Sequence, residues 1–213
     1  MVSGATVVGV VLAGGLSSRM GGGDKGLIAL QGRPILDHVL ERLATQVDRI
    51  VINANGDPGR LASYGLPIVA DPIEGFAGPL AGVLAGMEWA AAHCAGARWL
   101  VTAATDTPFF PRDLVRRFEQ AVAAERADMA CAASAGRTHP VFGMWPVVLA
   151  PDLSHAMASE GVRKVDLWTA RHRLAIAEFA HRPYDPFFNV NRPEDVTEAE
   201  RIAAEHIVTE PLP

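Results

Sequence analysis

Residues 7–25, VVGVVLAGGLSSRMGGGDK, join an apolar run to a glycine-rich loop that carries two cations. The apolar run is typical of a buried strand, and the glycines after it let backbone N–H groups approach an anion closely. Arg19 and Lys25 add positive charge to the same loop. Because open α/β sheets bind ligands beyond the carboxyl ends of their strands, this stretch predicts such a sheet with a nucleotide site.

Two common glycine motifs explain the loop less well. The phosphate loop of ATPases requires Ser or Thr after its lysine, whereas Gly26 follows Lys25. The glycines at 21, 23 and 26 match the dinucleotide spacing G-x-G-x-x-G, but they lie too far beyond the strand, so we interpret the match as accidental. A flexible glycine loop with two solvated cations is the structural alternative.

Composition narrows the class of protein. At 213 residues, with 49% hydrophobic and 20% charged residues, the chain can form one large domain with a substantial core. A net charge of −5 without a run of Lys and Arg argues against binding of polymeric nucleic acid. No apolar stretch is long enough to span a bilayer and the N-terminus lacks a secretory pattern, so we expect no membrane association and a cytoplasmic location. Cys131 is expected in the core, and a disulfide with Cys94 is disfavoured.

Short apolar runs alternate with helical patterns along the chain. The expected strands are 6–12, 49–54, 67–70, 98–103, 128–132 and 141–145, and the expected helices are 34–47, 80–93, 112–125, 147–159, 165–171 and 193–205. This alternation predicts an α/β fold, a three-layer, Rossmann-like, mainly parallel twisted sheet with helices on both faces. We expect a single domain over residues 1–206, with a nucleotide-binding half near 1–110 and an acceptor-binding half near 111–206. Residues 207–213 are expected to form a flexible tail.

Asp106 is the strongest candidate for a catalytic carboxylate. It follows the apolar run 99–104, so it should stand at the carboxyl end of a strand, in the same cleft as the glycine loop. Magnesium is often held by one or two carboxylates together with substrate phosphates. The alternative is structural, because Asp106 could cap the helix that begins near Pro111 or shape the turn before Pro108.

Other polar residues stand at predicted element ends. Asn53 could contact a base edge, although a turn residue is the simpler interpretation, and Asp71 could bind a base or ribose or shape the Asp-Pro turn. Asn189 and Asn191 precede the last helix, and Asn191 is expected to be its N-cap. His139 could contact phosphate, but a structural role is favoured. No spacing indicates a nucleophilic triad.

These elements together resemble a known family. The loop residues 12–25 resemble the signature of nucleotidyltransferases that activate sugar phosphates, isoprenoid precursors and molybdopterin. Further elements narrow the resemblance to the molybdenum cofactor guanylyltransferases over nearly the whole chain: 51–55 (VINAN), 78–82 (GPLAG), 106–109 (DTPF), 139–141 (HPV) and 189–195 (NVNRPED). The pair Gly14-Gly15 also fits this family better than its cytidylyl relatives, which usually have Ala-Ala-Gly.

The resemblance implies roles for particular residues. The GTP-binding residues would be Leu12, Ala13 and Gly14, which bind guanosine through the backbone, with Asn53 and Asp71. Lys25 would contact the triphosphate, Arg19 would help to neutralise its charge, and Asp106 would hold Mg²⁺, so Arg19, Lys25 and Asp106 are the catalytic candidates. Asn189 and Asn191 would bind the acceptor.

The function implied is transfer of GMP from GTP to the molybdopterin cofactor, with release of pyrophosphate. Transient contact with molybdoenzymes or cofactor-insertion proteins is expected. Three alternatives stay open: transfer of CMP to the same cofactor, nucleotidyl transfer to another phosphorylated acceptor, and a carrier that binds the cofactor without chemistry. Lys25 and Asp106 argue against the carrier, which needs no carboxylate for magnesium.

Overall fold

The computed structural model describes residues 6–13, 25–73 and 78–207. The strands are β1 (Thr6–Leu12), β2 (Ala29–Leu30), β3 (Arg33–Pro34), β4 (Arg49–Asn53), β5 (Ile68–Val69), β6 (Ala97–Ala104), β7 (Met129–Ser134), β8 (Arg137–Pro146) and β9 (Leu174–Phe179). The α-helices are α1 (Ile35–Ala44), α2 (Pro79–His93), α3 (Leu114–Glu125), α4 (Ala150–Ala158), α5 (Val165–Thr169) and α6 (Pro193–Ile202). Shorter helical turns cover Lys25–Leu27, Pro58–Tyr64, Val147–Leu149 and Ala203–Ile207.

Seven of these strands form one sheet in the order β5-β4-β1-β6-β8-β7-β9. β1 pairs in parallel with both β4 and β6, β4 with β5, and β7 with β9. β8 is antiparallel to both of its neighbours, β6 and β7. The carboxyl ends of the six other strands therefore lie along one edge of the sheet, together with the amino end of β8.

Alternation of side chains along β1 explains why both faces of the sheet are covered. Val7 and Val11 point into one apolar cluster, which α1, α3 and α6 cover. Val8 and Val10 point into the other, which α2, α4 and α5 cover. A strand buried on both faces is typical of parallel sheets with helices on either side. The predicted three-layer α/β class is confirmed.

Some elements differ from the sequence-based expectation, which did not include the short strands β2 and β3 or the helical turn at Pro58–Tyr64. β9 was not predicted, although its side chains alternate between buried and exposed as in an amphipathic strand. The strand expected at 141–145 begins instead at Arg137 and includes Pro140. The register of β8 against β7 jumps from Gly143 to His139, so Pro140 lies in an irregular part of the ladder where its missing N–H costs little.

Cys131 is buried in β7, as predicted, and both it and Cys94 are free thiols. Burial raises the pKa of the Cys131 thiol to about 12, so this side chain is an inert apolar residue at neutral pH. Residues 208–213 of the expected tail lie outside the described residues.

Candidate nucleotide-transfer site

The predicted site residues that the structure describes lie along the carboxyl edge of the sheet. Leu12, the last residue of β1, pairs with Asn53 on one side and with Ala104 on the other. The N–H of Ala13 donates to the carbonyl of Asn53 at 2.8 Å, and the N–H of Thr105 donates to the carbonyl of Leu12 at 3.3 Å. These bonds fix the start of the glycine loop between two neighbouring strand ends. Gly14 and Arg19 lie outside the described residues.

Asn53 and Asp71 form one polar cluster with Asn55. The Nδ2 amide of Asn53, which is buried, donates to Oδ1 of Asp71 at 2.9 Å. The Nδ2 amide of Asn55 donates to Oδ2 of the same carboxylate at 2.7 Å, and the backbone N–H of Asp71 donates back to Oδ1 of Asn55 at 2.8 Å. Each carboxylate oxygen is therefore fixed by one amide and keeps lone pairs for a ligand. No role was expected for Asn55 from the sequence. Its position two residues after Asn53, just beyond the strand end, could have indicated that it belongs to the same cluster.

Helix α2 packs directly against this cluster at Gly82. A Cβ atom at Gly82 would lie 2.4 Å from Oδ1 of Asn53 and 2.6 Å from Cδ2 of Leu12. Only glycine therefore allows the helix backbone to approach the strand ends this closely. This contact explains the glycine at the end of the segment 78–82.

Asp106 lies just beyond the end of β6, and its side chain is 19% exposed. Its Oδ1 accepts hydrogen bonds from the hydroxyl of Thr107 and from the Nδ2 amide of Asn189, both at 3.2 Å. Its Oδ2 lies 3.9 Å from Nζ of Lys25. Burial raises the pKa of Asp106, and the charge of Lys25 opposes that rise. Helix α3 begins at Leu114 with Asp113 as its N-cap residue, so Asp106 does not cap it.

Lys25 begins a short helical turn after the glycine loop. Its Nζ donates a 2.6 Å hydrogen bond to Oδ1 of Asn191. Gly26 fits tightly behind it, because a Cβ there would lie 3.3 Å from Cβ atoms of both Leu36 and Thr105. The ammonium group is thus fixed beside the carboxylate of Asp106 at the edge of the sheet.

Asn189 and Asn191 bring the last part of the chain to this same edge. The N–H of Val190, between them, donates to the carbonyl of Asp106 at 2.7 Å. The expectation that Asn191 is the N-cap of the last helix is wrong, because Arg192 occupies that position. The carboxylate of Asp195 accepts from the N–H groups of Asn191 and Arg192, both at 2.8 Å, so the side chain of Asn191 is left for Lys25.

The donor set at Asp106 fits a hard divalent cation. Oδ2 faces an ammonium group beyond hydrogen-bond distance, so its lone pairs can bind a metal ion. Within residues 6–13, 25–73 and 78–207, no cluster of three or more His, Cys, Asp and Glu side chains could hold a metal. A single protein carboxylate matches magnesium sites in which substrate phosphates and water supply the other ligands.

Comparison with known proteins defines the class. The model of a family described as the MobA-like NTP transferase domain matches residues 9–174. This chain belongs to that family of nucleotidyltransferases. Two close relatives narrow the comparison within this family, because both are named molybdenum cofactor guanylyltransferase. The relative from Rhodopseudomonas palustris (strain BisB5) is 57% identical over 91% of this chain and 92% of its own length. The relative from Bradyrhizobium sp. (strain ORS 278) is 54% identical over 93% of both chains.

A solved structure shares the fold over almost the whole chain. Molybdopterin-guanine dinucleotide biosynthesis protein A from Archaeoglobus fulgidus superposes with a TM-score of 0.73 at 24% identity, covering 93% of this chain and 99% of its own. In the part of this chain that the structure describes, no helix is both long and apolar enough to span a membrane.

Proposed function

We propose that this protein transfers GMP from GTP to the molybdopterin cofactor, forming the guanine dinucleotide cofactor and releasing pyrophosphate. The observation that carries the proposal is the junction of Lys25, Asp106 and Asn191 beside the Asn53–Asp71 cluster, at one edge of the sheet. The Asn53–Asp71 cluster would suit the base, and the cation and the carboxylate would suit the triphosphate and its metal ion. The names of the close relatives support the same reaction.

Guanosine would bind to the backbone of Leu12, Ala13 and Gly14 and to Asn53 and Asp71. The orientation of Asp71 favours guanine among the four bases. Guanine presents the adjacent donors N1–H and N2–H, which a carboxylate held by two amides can accept together. Adenine and cytosine each place a ring acceptor where guanine has N1–H, and a carboxylate repels an acceptor.

The triphosphate would lie across the glycine loop toward Lys25 and Asp106. Lys25, with Arg19 from the loop, would neutralise charge on the phosphate oxygens as it develops in the transition state. Asp106 would hold Mg²⁺ through Oδ2, and a bound magnesium ion supplies Lewis acidity and a template for the phosphates. The hydrogen bonds from Thr107 and Asn189 orient the carboxylate before substrate binds.

The acceptor would enter from the side of Asn189 and Asn191, which belong to the half of the chain near 111–206. Its terminal phosphate attacks the α-phosphorus of GTP in line, the new P–O bond forms, and the bond to pyrophosphate breaks. This phosphate is already ionised near neutral pH, so no side chain has to remove a proton. Positioning and neutralisation of charge therefore supply the catalysis.

The free thiols Cys94 and Cys131 support a reducing, cytoplasmic location. There the product would pass to molybdoenzymes or cofactor-insertion proteins through transient contacts.

Pyrophosphate release from each of the four ribonucleoside triphosphates tests the proposal, measured with and without molybdopterin cofactor and with Mg²⁺ or EDTA. Release only with GTP, cofactor and Mg²⁺ is the expected result. Release with CTP would move the chain to the cytidylyl relatives. Binding of GTP without release in any combination would instead indicate a carrier.

A further inference from the structure

Three polar side chains form a hydrogen-bonded chain beside the candidate site. Ser134 ends β7, His139 lies near the start of β8, and Asp185 follows β9. Oγ of Ser134 lies 2.7 Å from Nε2 of His139 and donates to Oδ1 of Asp185 at 2.8 Å. Ser134 is 1% exposed and His139 8% exposed. These residues were not predicted to act together, and the proposed reaction does not use them.

The order of the bonds excludes a nucleophilic triad. Ser134 lies between the other two residues and gives its hydroxyl proton to Asp185, so His139 cannot act as its base. Because the hydroxyl proton of Ser134 is donated to Asp185, Nε2 of His139 must be the donor to Oγ. His139 is therefore the Nε2–H tautomer. Burial lowers the pKa of His139, opposed by Asp185 and Glu178 and reinforced by Arg137, which favours the neutral ring.

The series of hydrogen bonds from His139 through Ser134 ends at Asp185, which belongs to the segment that carries Asn189 and Asn191. Oδ1 of Asp185 also accepts the backbone N–H of Phe187 at 3.0 Å. The ring of Phe187 stacks on the imidazole of His139, with ring centroids 4.4 Å apart and an interplanar angle of 23°. Phe187 is fully buried and also contacts Phe142 and Phe179 edge to face.

Residues 185–191, the acceptor segment, therefore have two points of attachment. At one end Asp185 and Phe187 join the chain of His139 and Ser134. At the other end Asn189 and Val190 bond to Asp106. A buried polar chain of this kind is costly unless every member is satisfied, and once satisfied it specifies one arrangement. Displacement at the first end would move Asn189 relative to the carboxylate.

We propose that Ser134, His139 and Asp185 are positioning residues that fix the acceptor segment over Asp106, so that loss of their hydrogen bonds impairs the acceptor step more than GTP binding. The catalytic part of this inference rests on the proposed function, whereas the anchoring part does not. Asp185 is the charged acceptor, and the hydroxyl of Ser134 links it to His139. His139 donates to Ser134, and its ring stacks on Phe187.

Four variants separate these contributions. His139→Phe keeps the stacked ring but removes the N–H, and His139→Gln keeps an N–H donor but removes the ring. Ser134→Ala removes the hydroxyl, and Ser134→Thr restores it. Thr169→Val is the matched control, because Thr169 carries a buried hydroxyl on α5 that donates to the carbonyl of Asp166 within the same helix.

Steady-state kinetics and hydrogen–deuterium exchange read the outcome. His139→Phe and Ser134→Ala should each lower kcat/KM for the acceptor about 10-fold, the effect of one lost buried hydrogen bond, with a clearly smaller change in Kd for GTP. Ser134→Thr should restore most of it, and Thr169→Val should match the parent protein. In the apo state the same two variants should speed exchange in residues 185–191 but not in residues 49–55.

Unchanged exchange in residues 185–191, or an equal loss of GTP binding and turnover, would overturn the positioning role. If the parent protein itself does not transfer GMP, the proposed function fails, and exchange in the apo variants still decides whether the three residues anchor the segment.

Discussion

The ammonium nitrogen of Lys25 donates a 2.6 Å hydrogen bond to Oδ1 of Asn191, a residue 166 positions later in the chain. The same nitrogen lies 3.9 Å from Oδ2 of Asp106. The cation is therefore fixed between an amide and a carboxylate before any triphosphate binds. Ordering a long side chain in advance removes part of the entropy cost of the reaction.

Removing either charge of this pair should abolish most of the activity. Lys25→Met and Asp106→Ala are each expected to lower kcat for pyrophosphate release by about 10²–10³, the range for a preorganised electrostatic group. Circular dichroism should show that both variants fold. Near-parental kcat in both would rule out the assigned roles.

Asn191 should also affect the triphosphate side, because it positions Lys25. Asn191→Ala removes the acceptor of the 2.6 Å bond, so the ammonium group loses its position, and kcat is expected to fall about 5- to 10-fold. Asn191→Asp keeps an oxygen at this place and binds the ammonium more strongly, which should raise KM for GTP by competition with phosphate. Equal kinetic constants for the alanine variant and the parent protein would contradict this role.

Asp71 and Asn55 should determine the preference for guanine. Asp71→Asn replaces one acceptor oxygen by a donor, so the ratio of kcat/KM for GTP to that for ITP, which lacks the N2 amine, should fall roughly tenfold toward unity. Asn55→Ala leaves the carboxylate but frees Oδ2 to rotate, and a smaller fall of about 3-fold is expected. A constant ratio across the variants would show that Asp71 does not contact the base.

Two glycines of helix α2 provide a test of close packing. Gly82→Ala should abolish measurable GTP binding, because its Cβ would lie 2.4 Å from Oδ1 of Asn53. Gly86→Ala, one turn along the helix, is the matched control: its Cβ would crowd the core, 3.0 Å from Cδ2 of Leu100 and 3.1 Å from Cγ1 of Val10, but neither Asn53 nor Leu12 is among its nearest neighbours. Calorimetric titration with GTP distinguishes them. Similar GTP affinity in both variants would contradict the packing argument.

The ionised carboxylate of Asp106 is expected to destabilise the folded protein at neutral pH. Burial raises the pKa of Asp106, so the folded chain binds this proton more tightly than the unfolded chain. The ionised carboxylate therefore destabilises the fold above its raised pKa, and the penalty disappears below the pKa of the unfolded chain. Asp106→Asn should accordingly raise Tm at pH 7 and give a smaller gain in acid. A lower Tm at pH 7 would contradict this balance.

The meeting of Leu12, Asn53 and Asp106 at one edge of the sheet was predictable because its signals are local. Leu12, Asn53 and Asp106 each follow an apolar run, and parallel strand ends meet at one edge of a sheet. The pairing of Asn55 with Asp71 was missed, since it depends on how two loops approach each other rather than on either loop alone.

The second half of the chain was less predictable because its contacts join distant segments. Asn is a common N-cap residue, so Asn191 was expected to cap α6. The carboxylate of Asp195 instead accepts the backbone N–H groups of Asn191 and Arg192, and the side-chain amide of Asn191 is left for Lys25. β9 was missed because its buried positions include Ala175 and Ala177, which have low strand propensity. The strand expected at 141–145 begins four residues earlier, and Pro140 lies at an irregularity in the ladder between β7 and β8.

The attachment of Val190 to Asp106 has a consequence for biosynthesis on the ribosome. The strands that hold the nucleotide side, β1, β4, β5 and β6, are complete by residue 104, so they can pair while the rest of the chain is being translated. The carboxylate of Asp106 receives its second partner only when residues 189–191 emerge. The surroundings of this carboxylate are therefore the last part of the sheet edge to be completed during synthesis, about 80 residues after the strand that precedes it.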